Sequence, residues 1–275
     1  MAQKKFIAYV GTYTHANSVG IHVYSVDPEK GKLTEHSVMP INNPSYLKVS
    51  WDGKFLYSIA DEGVAAFRIL EDGNLEKLNQ EWIGGMRGCY VETDMQRRYL
   101  FVGGYHDGRV TMMKLNEDGS IGGIADGIFH QGLGISSVEK RLEPKVTCVD
   151  LTPEEKFLCA VDYGLDQTKI YAVDYEKGKL ELTDVLRFPA GSAPRILRFS
   201  QDGKFAYVMC EGSNELYVYR YSLVAGEPVF EKIQVVSVMK DEKYNMAASS
   251  MITFSSEEDY IYVSIDAYNS VACLS

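Results

Sequence analysis

The sequence predicts an all-β protein, a propeller of four-stranded antiparallel blades. Three observations carry that prediction: a motif repeated six times, a turn signal in front of most copies, and an aromatic-rich composition without any long helical pattern. The motif is one basic or polar residue followed by an aromatic-rich apolar stretch: Lys5-Phe6-Ile7-Ala8-Tyr9, Lys54-Phe55-Leu56-Tyr57, Arg98-Tyr99-Leu100-Phe101, Lys156-Phe157-Leu158-Cys159, Lys204-Phe205-Ala206-Tyr207 and Asp259-Tyr260-Ile261-Tyr262. Successive copies begin 44 to 58 residues apart, the length of one four-stranded blade.

Each element then follows in order. Asp52-Gly53, Asp94-Met95-Gln96, Pro153-Glu154-Glu155, Asp202-Gly203 and Ser256-Glu257-Glu258 precede five of the copies and read as tight turns, so the local unit is strand, turn, strand. Two more strands follow in most copies, as in Glu215-Leu216-Tyr217-Val218-Tyr219-Arg220-Tyr221 and Phe230-Glu231-Lys232-Ile233-Gln234-Val235-Val236. The 19 tyrosines and 11 phenylalanines suit pleated surfaces and the faces between stacked blades. Residues 1–275 are expected to form one propeller domain. Its first copy lacks room for an innermost strand and its last copy stops in a third strand, so the expectation is about six blades, C-terminally incomplete. An exposed edge at Phe6 to Tyr13 would then be open to self-association.

Charge narrows the partners. With 28 Lys and Arg against 38 Asp and Glu, the chain carries a net charge of -10, which disfavours nucleic acid and anionic membrane surfaces. A small anionic substrate would need locally placed cations. The five cysteines, Cys89, Cys148, Cys159, Cys210 and Cys273, are widely spaced and read as reduced thiols of a cytoplasmic protein. No run approaches the roughly 18 apolar residues of a membrane span.

Catalytic signatures are sparse: the chain has no GxSxG elbow, no HExxH, and no glycine-rich phosphate loop before a helix. His15, His22, His36 and His130 are scattered without metal-ligand spacing and receive no role, and no metal or cofactor is called for. Asp162 and Asp166 flank Gly164 and read as a turn, since a cation loop needs more ligands at fixed spacing.

Hairpin symmetry supplies the candidate site. Residues equally distant from a turn centre lie side by side in an antiparallel pair. Gly203 stands eight residues from both Arg195 and Glu211, so these two should face each other. The same mirror sets Thr147 beside Asp162, Arg87 beside Tyr105 and near His106, and Ser249 near Asp266. If the blades share one strand direction, these ends gather at one mouth of a propeller. The expected pocket is therefore Arg87, Tyr105, His106, Lys145, Thr147, Asp162, Arg195, Glu211 and Asp266.

Several segments carry a family resemblance: Gly11-Thr12-Tyr13-Thr14, Asn43-Pro44-Ser45-Tyr46-Leu47, Tyr105-His106-Asp107-Gly108-Arg109-Val110, Leu115-Asn116-Glu117-Asp118-Gly119-Ser120, Asp162-Tyr163-Gly164-Leu165-Asp166 and Ala193-Pro194-Arg195. In this order they resemble the seven-bladed propeller lactonases, which include bacterial 6-phosphogluconolactonases and the fungal carboxymuconate-lactonising enzyme. The resemblance implies a lactone site at one mouth, built by a His, two Arg and a Glu. Arg195 matches the Arg of the Pro-Arg motif, and Glu211 matches the Glu ending the next strand. Pro144-Lys145-Val146-Thr147 stands where the family has Pro-His-x-His, Ile196 stands where a His often follows Pro-Arg, and Ile265-Asp266-Ala267 stands where it has Asn-Arg-Gly.

The resemblance thus implies a lactone hydrolase with Arg195 and Glu211 as its catalytic residues. Lys145, Thr147, Asp162, Arg87, Tyr105, His106 and Asp266 would bind a sugar-derived lactone. Lys145 would add positive charge and His106 a proton carrier active near neutrality. The alternative is a noncatalytic propeller that binds a sugar acid or a protein partner.

Overall fold

The computed structural model describes residues 6–132, 143–239, 249–266 and 269–275. Lys5 of the first motif copy and Ala267 lie outside them. The described residues form six antiparallel sheets distributed over two compact units, Met1–Ile128 and Phe129–Ser275.

In the first unit, β1 (Phe6–Val10), β2 (Gly20–Asp27) and β3 (Lys32–Pro40) make a three-stranded sheet. Two four-stranded sheets follow: β4 (Leu47–Val49), β5 (Phe55–Ala60), β6 (Gly63–Ile69) and β7 (Leu75–Glu81), then β8 (Tyr90–Thr93), β9 (Tyr99–Gly104), β10 (Arg109–Leu115) and β11 (Ile121–Phe129). The second unit repeats the pattern with β12 (Val146–Leu151), β13 (Phe157–Asp162), β14 (Gln167–Asp174) and β15 (Lys179–Arg187). Its next sheet holds β16 (Pro194–Phe199), β17 (Phe205–Cys210), β18 (Glu215–Val224) and β19 (Glu227–Ser237), and its last holds β20 (Ser249–Phe254), β21 (Ile261–Ile265) and β22 (Ser270–Leu274). The first and last sheets have three strands. Among the described residues, β1 is bonded to β2.

The repeated motif has a local cause. Ser50, Asp94, Thr152, Ser200 and Ser255 each open the same turn, accepting a bond at the carbonyl from the residue three positions on: Gly53, Arg97, Glu155, Gly203 and Glu258, at 2.7–3.0 Å. Those five acceptors' partners all adopt left-handed backbone, with φ of 56–69°. The side-chain oxygen of the opening residue then caps the amide five positions on, at 2.8–3.1 Å, in Phe55, Tyr99, Phe157, Phe205 and Tyr260. A short polar side chain that bonds its own backbone thus sets each turn and delivers an aromatic residue to the start of the next strand or the position just before it.

Both faces of β5, β9 and β13 are covered, every residue being buried, which explains their largely apolar character. Phe55, Tyr57 and Ile59 of β5 pack toward Val91, Leu100 and Val102, while Leu56 and Ala60 pack toward Ile21, Val23 and Ile41. Each such buried Val, Leu, Ile or Phe side chain contributes about 1.5–3 kcal/mol relative to exposure. In the second unit all six residues of β13 are buried, and Phe188 meets Tyr217 edge-on.

Candidate functional site

The inner strands of the second unit start alike. β12, β16 and β20 each carry a bulge one residue in, between Val146 and Cys148, Pro194 and Ile196, and Ser249 and Met251. The extra residues are Thr147, Arg195 and Ser250. A bulge bends the strand and re-aims the side chain of the added residue.

At β16 this places Arg195 beside Glu211. The ladder pairs Pro194 with Cys210 and Ile196 with Met209, so Arg195 has no ladder partner and Glu211 lies one residue past β17. The two side chains nevertheless form an ion pair between Arg195 Nη1 and Glu211 Oε2. The Arg195 side chain is 40% exposed and that of Glu211 17%, so the guanidinium stays accessible to a ligand while the carboxylate is largely covered. The backbone supports the pair: the Glu211 amide donates to the Ala193 carbonyl and that of Gly212 to Ser192, both at 2.9 Å. Gly212 has to be a glycine here, since a Cβ would lie 2.2 Å from the Gly191 carbonyl oxygen. Thr147 reaches the same strand, its hydroxyl donating to the Arg195 carbonyl at 2.7 Å.

Asp162 departs from the sequence expectation of a lining residue. Its pairing partner is Val146 and not Thr147, because the bulge slips the mirror by one residue. Its side chain is wholly buried, with one oxygen accepting from the amides of Lys145 (2.9 Å), Gly164 and Leu165 (both 3.1 Å). The other oxygen accepts from His130 Nδ1 at 2.6 Å. A buried carboxylate needs such a set of donors, and Asp162 directs them inward instead of toward a ligand.

His130, given no role from sequence, is therefore a central buried group. Its Nε2 lies 3.0 Å from the Tyr171 hydroxyl, so a neutral imidazole donating at Nδ1 and accepting at Nε2 satisfies both neighbours. Burial holds its pKa below the ordinary value; the Asp162 hydrogen bond and charge oppose that shift and Lys169 adds to it. Burial likewise raises the Tyr171 hydroxyl and lowers the Lys169 ammonium. Lys145 is half-buried, with its ammonium 6.0 Å from the centre of the Tyr163 ring. Asp266 is exposed and borders an open hollow of about 330 Å³ with Ser250, Ser264 and Asn269.

The remaining three candidates belong to the first unit, and here the mirror expectation needs correction. Arg87 precedes β8 by three residues, outside the ladder. Its Nη2 donates to the Asn43 carbonyl (2.6 Å) and the Ser45 hydroxyl (2.9 Å), its Nε lies 3.4 Å from Asp61, and its guanidinium lies 5.4 Å from the Tyr13 ring centre. Asn43 completes the cluster by donating to both Asp61 oxygens, at 2.8 and 2.9 Å, and accepting from the Thr14 amide at 2.8 Å. The segments Gly11-Thr12-Tyr13-Thr14 and Asn43-Pro44-Ser45 thus meet around one arginine. His106 is exposed in the β9–β10 turn, edge-on to Tyr105.

Sequence reasoning missed Asp61, His130 and Tyr171. Asp61 follows β5 as Glu211 follows β17, so aligning the repeats one residue further would have found it. His130 lies 32 residues from Asp162, and no local pattern announces that contact. Among the described residues, no group of three or more His, Cys, Asp or Glu side chains gathers as a metal site, and no helix is long and apolar enough to cross a membrane.

Comparison with known proteins gives the family. Residues 7–275 match the family model for the lactonase, 7-bladed beta-propeller. A 6-phosphogluconolactonase of Bacillus subtilis is 34% identical over 98% of this chain and 77% of its own length, and one of Formosa agariphila is 28% identical over 93% and 74%. The crystal structure of a Lactobacillus plantarum protein, 29% identical, superposes with a TM-score of 0.87 over 98% of this chain and 78% of its own. The periplasmic gluconolactonase PpgL of Pseudomonas aeruginosa, at 22% identity and a TM-score of 0.86 over 98% of this chain and 82% of its own, shares the fold. The match over residues 7–275 and the 34% identity to the Bacillus subtilis protein show that this chain belongs to the seven-bladed β-propeller lactonase family.

Proposed function

We propose that this protein hydrolyses a sugar-derived lactone in carbohydrate metabolism, with 6-phosphogluconolactone of the pentose phosphate pathway as its substrate. The observation that carries the reading is the Arg195–Glu211 pair, whose guanidinium is accessible in a chain with a net charge of -10. An anionic lactone meets a repulsive average field there and needs such a local cation. Family membership and the two 6-phosphogluconolactonase relatives support the same substrate class.

In this reading Glu211 orients a water molecule toward the lactone carbonyl carbon. The water oxygen bonds to that carbon, the bond between the acyl carbon and the ring oxygen breaks, and the water's protons pass to the departing ring oxygen and to solvent, leaving the sugar acid. Arg195 stabilises the oxyanion that develops on the carbonyl oxygen. A carboxylate paired with a guanidinium suits water orientation better than strong base catalysis. Lys145 supplies further positive charge for the substrate's anionic group, and Asp266 offers a polar contact at the end of β21. The reading places the enzyme in the cytoplasm, supported by five free thiols.

The test is the rate at which purified protein opens 6-phosphogluconolactone. Opening above the buffer rate that falls by about tenfold or more in Arg195→Ala, to a residual rate still above buffer, supports the proposal, and a wild-type rate equal to buffer or a rate unchanged in Arg195→Ala overturns it. Thermal stabilisation by 6-phosphogluconate without any turnover would instead identify a binding protein.

A further inference from the structure

We propose that Asp166 is a positioning residue that sets the Arg195–Glu211 pair by fixing the peptide of Ala193; the role rests on the lactonase reading above. Asp166 ends the turn between β13 and β14, one residue before β14 begins, and is 3% exposed. Neither of its carboxylate oxygens faces solvent chemistry. One accepts from the Ala193 amide at 2.8 Å and the other from the Gly191 amide at 2.9 Å, while its backbone carbonyl accepts from the Phe188 amide at 3.0 Å. One buried residue thus holds three amides of the connection between β15 and β16.

That connection needs an anchor. Gly191 and Ala193 both have left-handed backbone, with φ of 80° and 49°, and an alanine in that region is costly unless its surroundings impose it. Ala193 is also where both members of the pair converge. Its carbonyl accepts the Glu211 amide at 2.9 Å, and Arg195 follows two residues later at the bulge of β16. Fixing the Ala193 peptide therefore fixes where Glu211 starts and where Arg195 is aimed. The other end of the same turn acts in parallel, since Asp162 binds the Lys145 amide and is itself held by His130. A turn with two buried carboxylates, one at each end, spans the approach to β12 and the approach to β16. The second carboxylate, Asp166, gives a defined entry into the strand that carries Arg195.

The variant to make is Asp166→Asn. Asparagine keeps the size and tolerates the left-handed backbone that Asp166 adopts at φ 53°, but it presents an NH2 group to one of the two amides that the carboxylate now accepts. Hydrogen exchange followed by mass spectrometry is expected to show faster exchange in segments 188–195 and 211–213, with the rest of the second unit unchanged. On 6-phosphogluconolactone, kcat/KM should fall by about tenfold or more, because small displacements of a catalytic group are costly. In an Arg195→Ala background the same substitution should then cost less than about twofold, since the group it positions is gone. Unchanged exchange in both segments overturns the proposal, as does a tenfold loss that persists fully in the Arg195→Ala background, which would mark a general structural role. If the wild type opens no lactone, the lactonase reading fails on that result alone. The cycle is then run on 6-phosphogluconate affinity, and equal losses in both backgrounds, or no binding by the wild type, overturn the positioning role. The exchange data still decide whether Asp166 fixes Ala193.

Discussion

The hydroxyl of Thr147 donates to the backbone carbonyl of Arg195 at 2.7 Å, which ties β12 to β16 at the bulged residue of each. The bond joins two positions that the repeat makes equivalent. Replacing Thr147 with Val keeps the branched shape and removes the donor. Stability should fall by about 1 kcal/mol in urea unfolding, and kcat/KM should drop by a few-fold as the Arg195 backbone loosens. An unchanged rate would mean that the tie serves the fold alone.

Arg195→Lys separates charge from shape. A lysine keeps the positive charge but loses the planar fork that can engage Glu211 and a ligand oxygen together. Lactone opening should fall by about tenfold or more, with no measurable change in thermal unfolding because the pair is partly exposed.

Acid should weaken the second unit through His130. Its folded-state pKa is lowered from 6.5, chiefly by burial, so the unfolded chain binds the proton more readily. The contribution is therefore fully present above pH 6.5 and is lost as pH falls from there through the lower folded-state value. Thermal unfolding between pH 7.5 and pH 5.5, values chosen to bracket roughly the ordinary histidine range, should show a falling Tm. His130→Gln should lower Tm at neutral pH and flatten that dependence.

Lys48 and Glu92 form an inner-strand ion pair of the first unit, at 2.7 Å between β4 and β8, with the Glu92 side chain 7% exposed. Lys48→Met leaves the largely buried Glu92 carboxylate with the Thr93 amide and should cost about 1 kcal/mol in denaturant unfolding, since the lysine end of the pair is partly solvated. The double variant Lys48→Met, Glu92→Met should recover most of that loss, because the uncompensated charge is gone.

Much of this architecture was readable in advance because its causes are local. The side-chain oxygen of Ser50, Asp94, Thr152, Ser200 or Ser255 bonds an amide only five residues away, and each turn needs no distant partner to form. The spacing of those turns and the aromatic residue that follows each one sufficed for the repeat, the sheet type and the pairing of Arg195 with Glu211. Hairpin symmetry failed at a fine scale, at Thr147 and Asp162 and again in the ladder at Arg195, because a bulge depends on backbone geometry and has no residue signature of its own here.

By itself, then, the sequence determined the repeat, the all-β character and the ion pair across one hairpin, all interactions closed within about twenty residues of chain. Tertiary structure alone decided which carboxylates stay partly exposed and which face inward. Asp162 became an internal acceptor because His130, 32 residues earlier in the chain, packs against it, and Arg87 turned to Asn43 and Asp61 because the adjacent sheet offers them. Desolvation is the physical reason. A charged side chain takes the partners that cover it, and those come from segments far away in sequence that only the packing of sheets brings near.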